Sequence, residues 1–254
     1  MSHFTVMVIG EEPEKQLQPF HEYECTGIED EHVIFVEDEE YDLDEKTGKK
    51  GHWTNPNKKW DWYKLGGRWS GFLHLKNGAT GTTGQGSLIY KNKPGIDQAK
   101  KGAIDFESMR KSAADKARET YRSVIAIIGS LPVNKTWPQI SEEIKDNSAA
   151  KDEYWRQPRC EAWQKSKVIQ DICGFFASPD EYLISEEEYV QNATDSALVT
   201  FAMIKDGQWY AKGEMGWFGM STDKMTDSEW NKMFNKVLDE LPDETLISIY
   251  DCHI

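Results

Sequence analysis

Apolar and polar residues follow three different patterns along the chain. Residues 3–9 are rich in β-branched and aromatic side chains and predict a buried first strand. Apolar residues recur at steps of three and four over 106–128, which predicts a long helix. Towards the other end, the pattern predicts a β-hairpin turning at 206–207, a helix capped by Thr226, and a strand over 246–254.

These elements predict an α+β fold. Strands at both ends with helices between them, and no regular βαβ alternation, favour a mixed and mainly antiparallel sheet that contains both terminal strands. Packed helices and an aromatic, glycine-rich hairpin complete the expected architecture. We interpret residues 1–254 as one α+β domain, with a charged surface excursion at 29–59 and a helical insertion at 97–195.

Composition narrows the classes of function. The formal net charge is −14, and all of it lies in residues 11–45, so the chain has no general attraction for nucleic-acid phosphates. No apolar run reaches the length of a membrane helix. The four cysteines are widely spaced without a CxxC pair, which is typical of reduced cysteines. We therefore expect a cytoplasmic protein that binds neither a membrane nor nucleic acid directly.

Aromatic residues cluster in the first half of the chain. Trp60, Trp62 and Trp69 lie close to Arg68, and flat rings with a guanidinium are the groups that stack on a base and hold its phosphate. Trp217 stands in a second glycine-rich aromatic stretch. These residues indicate a pocket for a nucleotide-like ligand, although aromatic residues in strands are also typical of a sheet core.

Polar groups gather at the end of the last strand. Asp251 and His253 share one face of this strand by its period of two, and His21 and Glu24 follow the first strand. If the two terminal strands are neighbours, these four residues are candidates for acid–base catalysis. The sequence has no metal-ligand spacing such as HExxH and no cofactor motif, so we assign neither a metal ligand nor a cofactor.

Several motifs carry a family resemblance. The stretches SHFTVMVIG at 2–10, LGGRWSG at 65–71, MGWFG at 215–219 and DCHI at 251–254 resemble a widespread family of uncharacterised accessory proteins of tailed bacteriophages. Residues 90–195 carry no such resemblance. The resemblance implies a viral protein that acts in the cytoplasm of an infected bacterium, where one route to countering host defence is to sequester or degrade a nucleotide immune signal.

The sequence therefore favours an accessory, anti-defence protein that binds or sequesters a nucleotide-derived small molecule in an aromatic, glycine-rich pocket. The expected ligand contacts are Trp60, Trp62, Arg68, Trp69, Trp217, His21 and His253. One alternative is a metal-dependent or acid–base hydrolase of a nucleotide signal that uses His21, Glu24, Asp251 and His253. Another is an inhibitor that binds a host defence protein through acidic residues 29–45. The sequence leaves the ligand and the oligomeric state open and does not decide between binding and catalysis.

Overall fold

The computed structural model describes residues 2–89, 94–174, 177–216 and 220–254. The chain divides into two compact units. We call residues up to Ser108 together with Leu198–Ile254 the sheet unit, and Met109–Ala197 the helical unit. The fold is α+β, as the sequence predicts. No helix in the described ranges has the length and apolar character needed to span a bilayer.

All eleven strands of the described residues lie in the sheet unit. They are β1 His3–Ile9, β2 Ile34–Glu37, β3 Gly51–Thr54, β4 Trp62–Gly67, β5 Gln85–Gly86, β6 Gln98–Lys100, β7 Ala202–Lys205, β8 Gln208–Ala211, β9 Gly213–Met215, β10 Ser221–Asp223 and β11 Leu246–His253. The helices of this unit are α1 Pro13–Leu17, α2 Tyr23–Thr26 and α9 Asp227–Glu240, and α3 Phe106–Ile128 begins in it. The helices of the helical unit that follow α3 are α4 Trp137–Glu143, α5 Asn147–Arg156, α6 Pro158–Lys165, α7 Lys167–Cys173 and α8 Glu186–Ser196.

The main sheet has the strand order β5-β4-β11-β1-β7-β8, and β6 pairs with the other half of β11. β1 is antiparallel to β11 and parallel to β7, so the sheet is mixed. The prediction that both terminal strands share one sheet is confirmed. β1 is central and almost fully buried, which explains its run of β-branched and aromatic residues.

The register of three neighbouring strands determines where the polar residues meet. His3 of β1 pairs directly with His253 of β11, and His253 pairs with Trp62 of β4. One step further on the same face, Asp251 lies opposite Thr5. The strand ends therefore bring together side chains that lie far apart in the sequence.

One core cluster of the sheet unit includes Phe4, Val6 and Val8, which lie on the face of β1 opposite to His3 and Thr5. Leu17 and Trp60 pack in the same cluster. The remaining members include Phe20, Ala202, Ile204, Tyr250 and Cys252. This cluster lies on the opposite side of β1 from His3.

The C-terminal elements follow the predicted order. β7 and β8 form the expected antiparallel hairpin, with positive backbone φ angles at Asp206 and Gly207 in the turn. Thr226 caps α9 through a capping box with Glu229. Helix α9 buries Trp230, Phe234 and Leu238, and the indole of Trp230 donates a hydrogen bond to the carbonyl of Thr200 at 2.9 Å.

The aromatic, glycine-rich segment differs from the expected hairpin. β4 runs through Gly66 and Gly67, and it pairs in parallel with β5. The charged segment 29–59 contains the separate antiparallel pair β2–β3. Lysines of this segment form ion pairs with its own acidic residues, among them Lys46 with Glu29.

The helical unit has its own core. Val124 and Ile128 of α3 pack with Trp163, Ile169 and Tyr182. A second cluster in this unit contains Ile140, Ala150, Tyr154 and Cys160. The unit thus buries apolar faces of its helices internally, as amphipathic helices do.

Candidate active site

Three aromatic rings meet at the end of β1, β4 and β11. The ring centroids of His3 and His253 are 4.8 Å apart, in a T-shaped arrangement. The Trp62 ring lies 5.6 Å from His3 and 6.1 Å from His253. The side chains of His3 and His253 are 16% and 12% exposed, and Trp62 is 44% exposed. The two imidazoles are therefore accessible beside an exposed aromatic surface.

A buried carboxylate orients His3. Its Nδ1 lies 2.8 Å from Oδ1 of Asp251, which is 1% exposed. An ionised carboxylate only accepts hydrogen bonds, so Nδ1 of His3 carries the proton and donates. When the ring is neutral, its Nε2 then has a free lone pair. The second oxygen of Asp251, Oδ2, accepts the backbone N–H of Arg68 at 2.9 Å.

A second carboxylate orients His253 in the same way. Nδ1 of His253 lies 2.6 Å from Oδ1 of Asp61, and the backbone N–H of Asp61 donates to the carbonyl of His253 at 2.9 Å. In the part of the chain that the structure describes, Nε2 of neither His3 nor His253 has a hydrogen-bond partner. The site thus contains two His–Asp pairs, each with one imidazole nitrogen available for chemistry.

The end of β4 and the turn that follows it are held by two buried carboxylates. Gly66 and Gly67 have φ angles of 79° and 54°, a conformation that favours glycine. A Cβ at Gly67 would collide with the carboxylate of Asp251, and one at Gly66 would collide with that of Asp97. The two glycines therefore let the backbone approach both carboxylates closely. Arg68, the next residue, is exposed.

Asp97 makes three contacts with the surrounding loops. It is fully buried, and its Oδ1 accepts the backbone N–H of Gly71 at 2.6 Å. Its Oδ2 accepts the hydroxyl of Ser70 at 3.0 Å and the backbone N–H of Gly84 at 2.7 Å. Asp97 therefore fixes the shape of the segment that positions Arg68.

Three further groups with metal-ligating atoms lie next to His253. The ligand atoms of Glu22, Cys25 and Asp61 are all within 4.8 Å of one another. Glu22 also forms an ion pair with Lys58, and Asp61 is bonded to His253. Partial burial and the nearby Glu22 carboxylate raise the pKa of the Cys25 thiol, which keeps it protonated at neutral pH. The group offers oxygen and sulfur donors, but its carboxylates are already engaged in ion pairs.

Two of the expected catalytic residues lie apart from the His–Asp pairs. His21 is fully buried, and its ring nitrogens contact Thr26 Oγ1 at 3.1 Å and Asp30 at 3.2 Å. Glu24 accepts hydrogen bonds from Thr54 and Lys58. Partial burial acts to raise the pKa of Glu24, but these hydrogen bonds outweigh it, so the pKa is lowered. Neither residue contacts Asp251 or His253 in the described part of the chain.

The expected ligand-contacting aromatic residues lie in different surroundings. Trp60 is only 4% exposed, and its indole donates to the carbonyl of Leu17 at 2.9 Å. Trp69 is half-buried, whereas Trp62 is exposed. Trp217 lies outside the described residues. Of the three tryptophans predicted in this segment, Trp62 is the one that contacts both imidazoles.

Sequence reasoning missed His3 and Asp61. A signal for His3 was present, because two antiparallel terminal strands of similar length place His3 directly across from His253. Asp61 gave no such signal. It precedes β4, and it reaches His253 only because β4 pairs with β11 in the observed register.

The arrangement has a clear chemical capacity. An imidazole that donates Nδ1–H to a carboxylate can accept or donate a proton at Nε2, and two such rings side by side can supply an acid and a base together. An exposed tryptophan and an arginine lie at the edge of the same site. No protein-family model, curated protein or solved structure matches the chain.

Proposed function

We propose that the sheet unit is a hydrolase of phosphate esters, in which His3 and His253 are the acid–base pair. The observation that carries this proposal is the pair of Nδ1–carboxylate hydrogen bonds, with the two rings 4.8 Å apart. Phosphoester hydrolysis needs one group that takes a proton from water and another that protonates the leaving oxygen. Two oriented imidazoles meet this need.

The reaction balances with these two residues and water. Nε2 of the neutral histidine accepts a proton as the water oxygen attacks phosphorus and forms a new P–O bond. Nε2 of the protonated histidine donates its proton to the leaving oxygen as the existing P–O bond breaks. Asp251 and Asp61 stabilise whichever imidazole is positively charged. Proton exchange with solvent then restores the starting protonation states.

The substrate class that this site supports is a nucleotide-derived phosphate ester. Trp62 is exposed beside both rings, and indole faces stack on nucleobases. Arg68 is exposed at a turn bonded to Asp251, and guanidinium groups bind phosphate in two-pronged geometry. Trp62 is thus proposed to hold the base and Arg68 the phosphate.

A second candidate is binding without turnover. Trp62 and Arg68 offer a stacking surface and a phosphate contact whether or not a proton is transferred, and a protein that sequesters a signal needs only these. In this case His3 and His253 line the pocket. The two functions differ in whether the ligand is recovered intact.

The deciding experiment is incubation of the full chain with linear and cyclic nucleotides, followed by chromatography of the products. As a hydrolase, the wild type releases product, and His3→Ala and His253→Ala each lower the rate on the order of 10²–10⁴-fold. His32→Ala is the matched control, because His32 lies in the same unit within the charged segment. Intact ligand recovered from wild-type protein that binds it would establish sequestration instead.

The biological setting follows from the resemblance of the sequence motifs to those of phage accessory proteins. The protein is proposed to act in the cytoplasm of an infected bacterium and to remove a nucleotide immune signal. Phage plated on hosts with and without a nucleotide-signalled defence would test this. If the acidic residues 29–45 instead bind a host defence protein, salt-sensitive capture of that protein would survive loss of His3 and His253.

A further inference from the structure

The helical unit contains a cavity of about 940 Å³. Its wall is rich in aromatic side chains, and the polar groups that line it include one cation and an amide. The lining includes Trp137, Lys151, Tyr154, Trp155, Trp163 and Gln164. All of them belong to the helical unit, so the cavity is independent of the two His–Asp pairs in the sheet unit.

The indoles of this cavity differ from the buried indoles of the sheet unit. In the sheet unit, Trp60 and Trp230 each donate a hydrogen bond to a backbone carbonyl. Within the described residues, the indole N–H groups of Trp137, Trp155 and Trp163 have no acceptor. Trp163 is only 5% exposed as a residue. Its indole nitrogen is nevertheless reached by solvent, because the buried side-chain nitrogen or oxygen without a partner in the described residues is Nδ1 of His52. The three indole donors are therefore available to the acceptor atoms of a ligand in the cavity.

The wall around these indoles is preorganised. The hydroxyl of Tyr154 donates to Oδ1 of Asp180 at 2.9 Å, and the backbone N–H of Trp137 donates to Oδ2 of the same residue at 2.8 Å. The Tyr154 ring makes T-shaped contacts with Trp137 at 5.8 Å and with Trp155 at 5.1 Å. The aromatic side chains are thus held in place without a ligand, which lowers the entropic cost of binding.

The charged and polar side chains of the cavity lining limit which class of ligand can bind. Lys151 is the charged residue of the lining, and it has no ion-pair partner in the described part of the chain. A cationic ligand would be repelled, and a purely aliphatic one would leave the indole donors and the amide of Gln164 unsatisfied. A planar ring with acceptor atoms and a negative substituent satisfies both the donors and the cation.

We propose that this cavity binds a nucleoside phosphate, with the base among the tryptophan rings and the phosphate towards Lys151. The site goes beyond the hydrolase of the sheet unit, because it needs neither His3 nor His253. The ligand bound here and the substrate cleaved there are of the same chemical class.

Calorimetric titration of the full chain with AMP, GMP, CMP and UMP, and with the four matching nucleosides, tests the proposal. Trp155→Ala should weaken binding of nucleotide and nucleoside alike by about 10-fold or more, the scale of a lost stacking contact. Lys151→Ala should weaken the nucleotide about 10-fold and leave the nucleoside unchanged. Lys145→Ala is the matched control, because Lys145 is an exposed lysine outside the cavity lining.

The titration separates this site from the one in the sheet unit. His3→Ala and His253→Ala should leave the cavity affinity unchanged while they lower the rate of hydrolysis on the order of 10²–10⁴-fold, so either proposal can fail alone. The cavity proposal is overturned if none of the four nucleotides binds saturably up to about 1 mM. It is equally overturned if binding occurs and neither Trp155→Ala nor Lys151→Ala weakens it.

Discussion

Asp97 and Asp251 are two buried carboxylates that contact the same turn and differ in what they leave free. Both oxygens of Asp97 accept hydrogen bonds from loop backbone or from Ser70. Asp251 gives one oxygen to the backbone of Arg68 and the other to His3. The carboxylate of Asp97 is thus wholly engaged in holding the fold, whereas that of Asp251 also orients an imidazole that is partly exposed.

The histidines of the sheet unit show the same contrast. His21 is fully buried and uses both ring nitrogens within the fold. His3 uses one nitrogen to bind Asp251 and is partly exposed. Proximity in sequence to a candidate motif therefore does not identify which histidine can react. A ring nitrogen that has no hydrogen-bond partner in the fold and that solvent can reach identifies it better.

The largest effect is expected from Asp97→Asn. The NH₂ group of asparagine would face the N–H and O–H donors that bind the carboxylate of Asp97. The substitution would also remove the negative charge that strengthens these hydrogen bonds. We expect the free energy of unfolding to fall by about 3–5 kcal/mol, measured by chemical denaturation. Asp42→Asn, an exposed position that loses the same charge, is the control. Equal losses in the two variants would contradict the role of Asp97.

Asp251→Asn should separate activity from stability. The amide can retain one hydrogen bond, so we expect a loss of about 1–2 kcal/mol in stability. The substitution removes the charge that stabilises a protonated His3, and hydrolysis should fall on the order of 10²–10⁴-fold. Product assays together with denaturation curves measure both quantities. A variant that is destabilised but fully active would mean that Asp251 resembles Asp97 in its role.

Gly67→Ala tests how closely the turn must approach Asp251. Gly78 offers a matched control, because it also has a positive φ angle of 78° but no atom lies within 4 Å of an added Cβ. Gly78→Ala should cost about 1 kcal/mol for backbone strain alone, and Gly67→Ala about 2–3 kcal/mol because strain and collision add. Equal melting temperatures for the two variants would show that the turn adjusts freely.

The smallest effect is expected at Glu24, an ion-paired carboxylate near the surface. Because its pKa is lowered in the folded state from the usual 4.5, Glu24 stabilises the fold above that pH. This stabilisation disappears as the pH falls through the lowered value. Glu24→Gln should therefore cost at most about 0.5 kcal/mol at neutral pH and nothing in strong acid. Glu40→Gln, also exposed, serves as the reference in denaturation at both pH values.

The sequence was sufficient to predict the α+β class, the shared sheet of both terminal strands and the strand face that carries Asp251 and His253. These properties follow from periodicity, which is local along the chain. The partners of these two residues depend on strand register instead. Asp61 reaches His253 through the pairing of β4 with β11, and no periodic pattern within either strand determines that register.

The tryptophans show a second limit of sequence reasoning. Trp60 and Trp62 are two residues apart and would share a face in one continuous strand. Trp60 instead precedes β4 and forms a bridge with His21, which turns its ring into the core, whereas Trp62 opens the strand and is exposed. Composition identified the aromatic segment, but the start of the strand decided which ring a ligand can reach.

The placement of β1 between β7 and β11 has a consequence for the kinetics of folding. Val6 pairs with Ala202 on one side and with Tyr250 on the other, so the two neighbours of β1 lie about 200 and about 240 residues further along the chain. During synthesis the strand stays without either partner until most of the polypeptide has left the ribosome, and such distant pairing is slow. The nascent chain thus exposes an apolar segment that a chaperone can bind, and His3 meets His253 only in the last stage of folding.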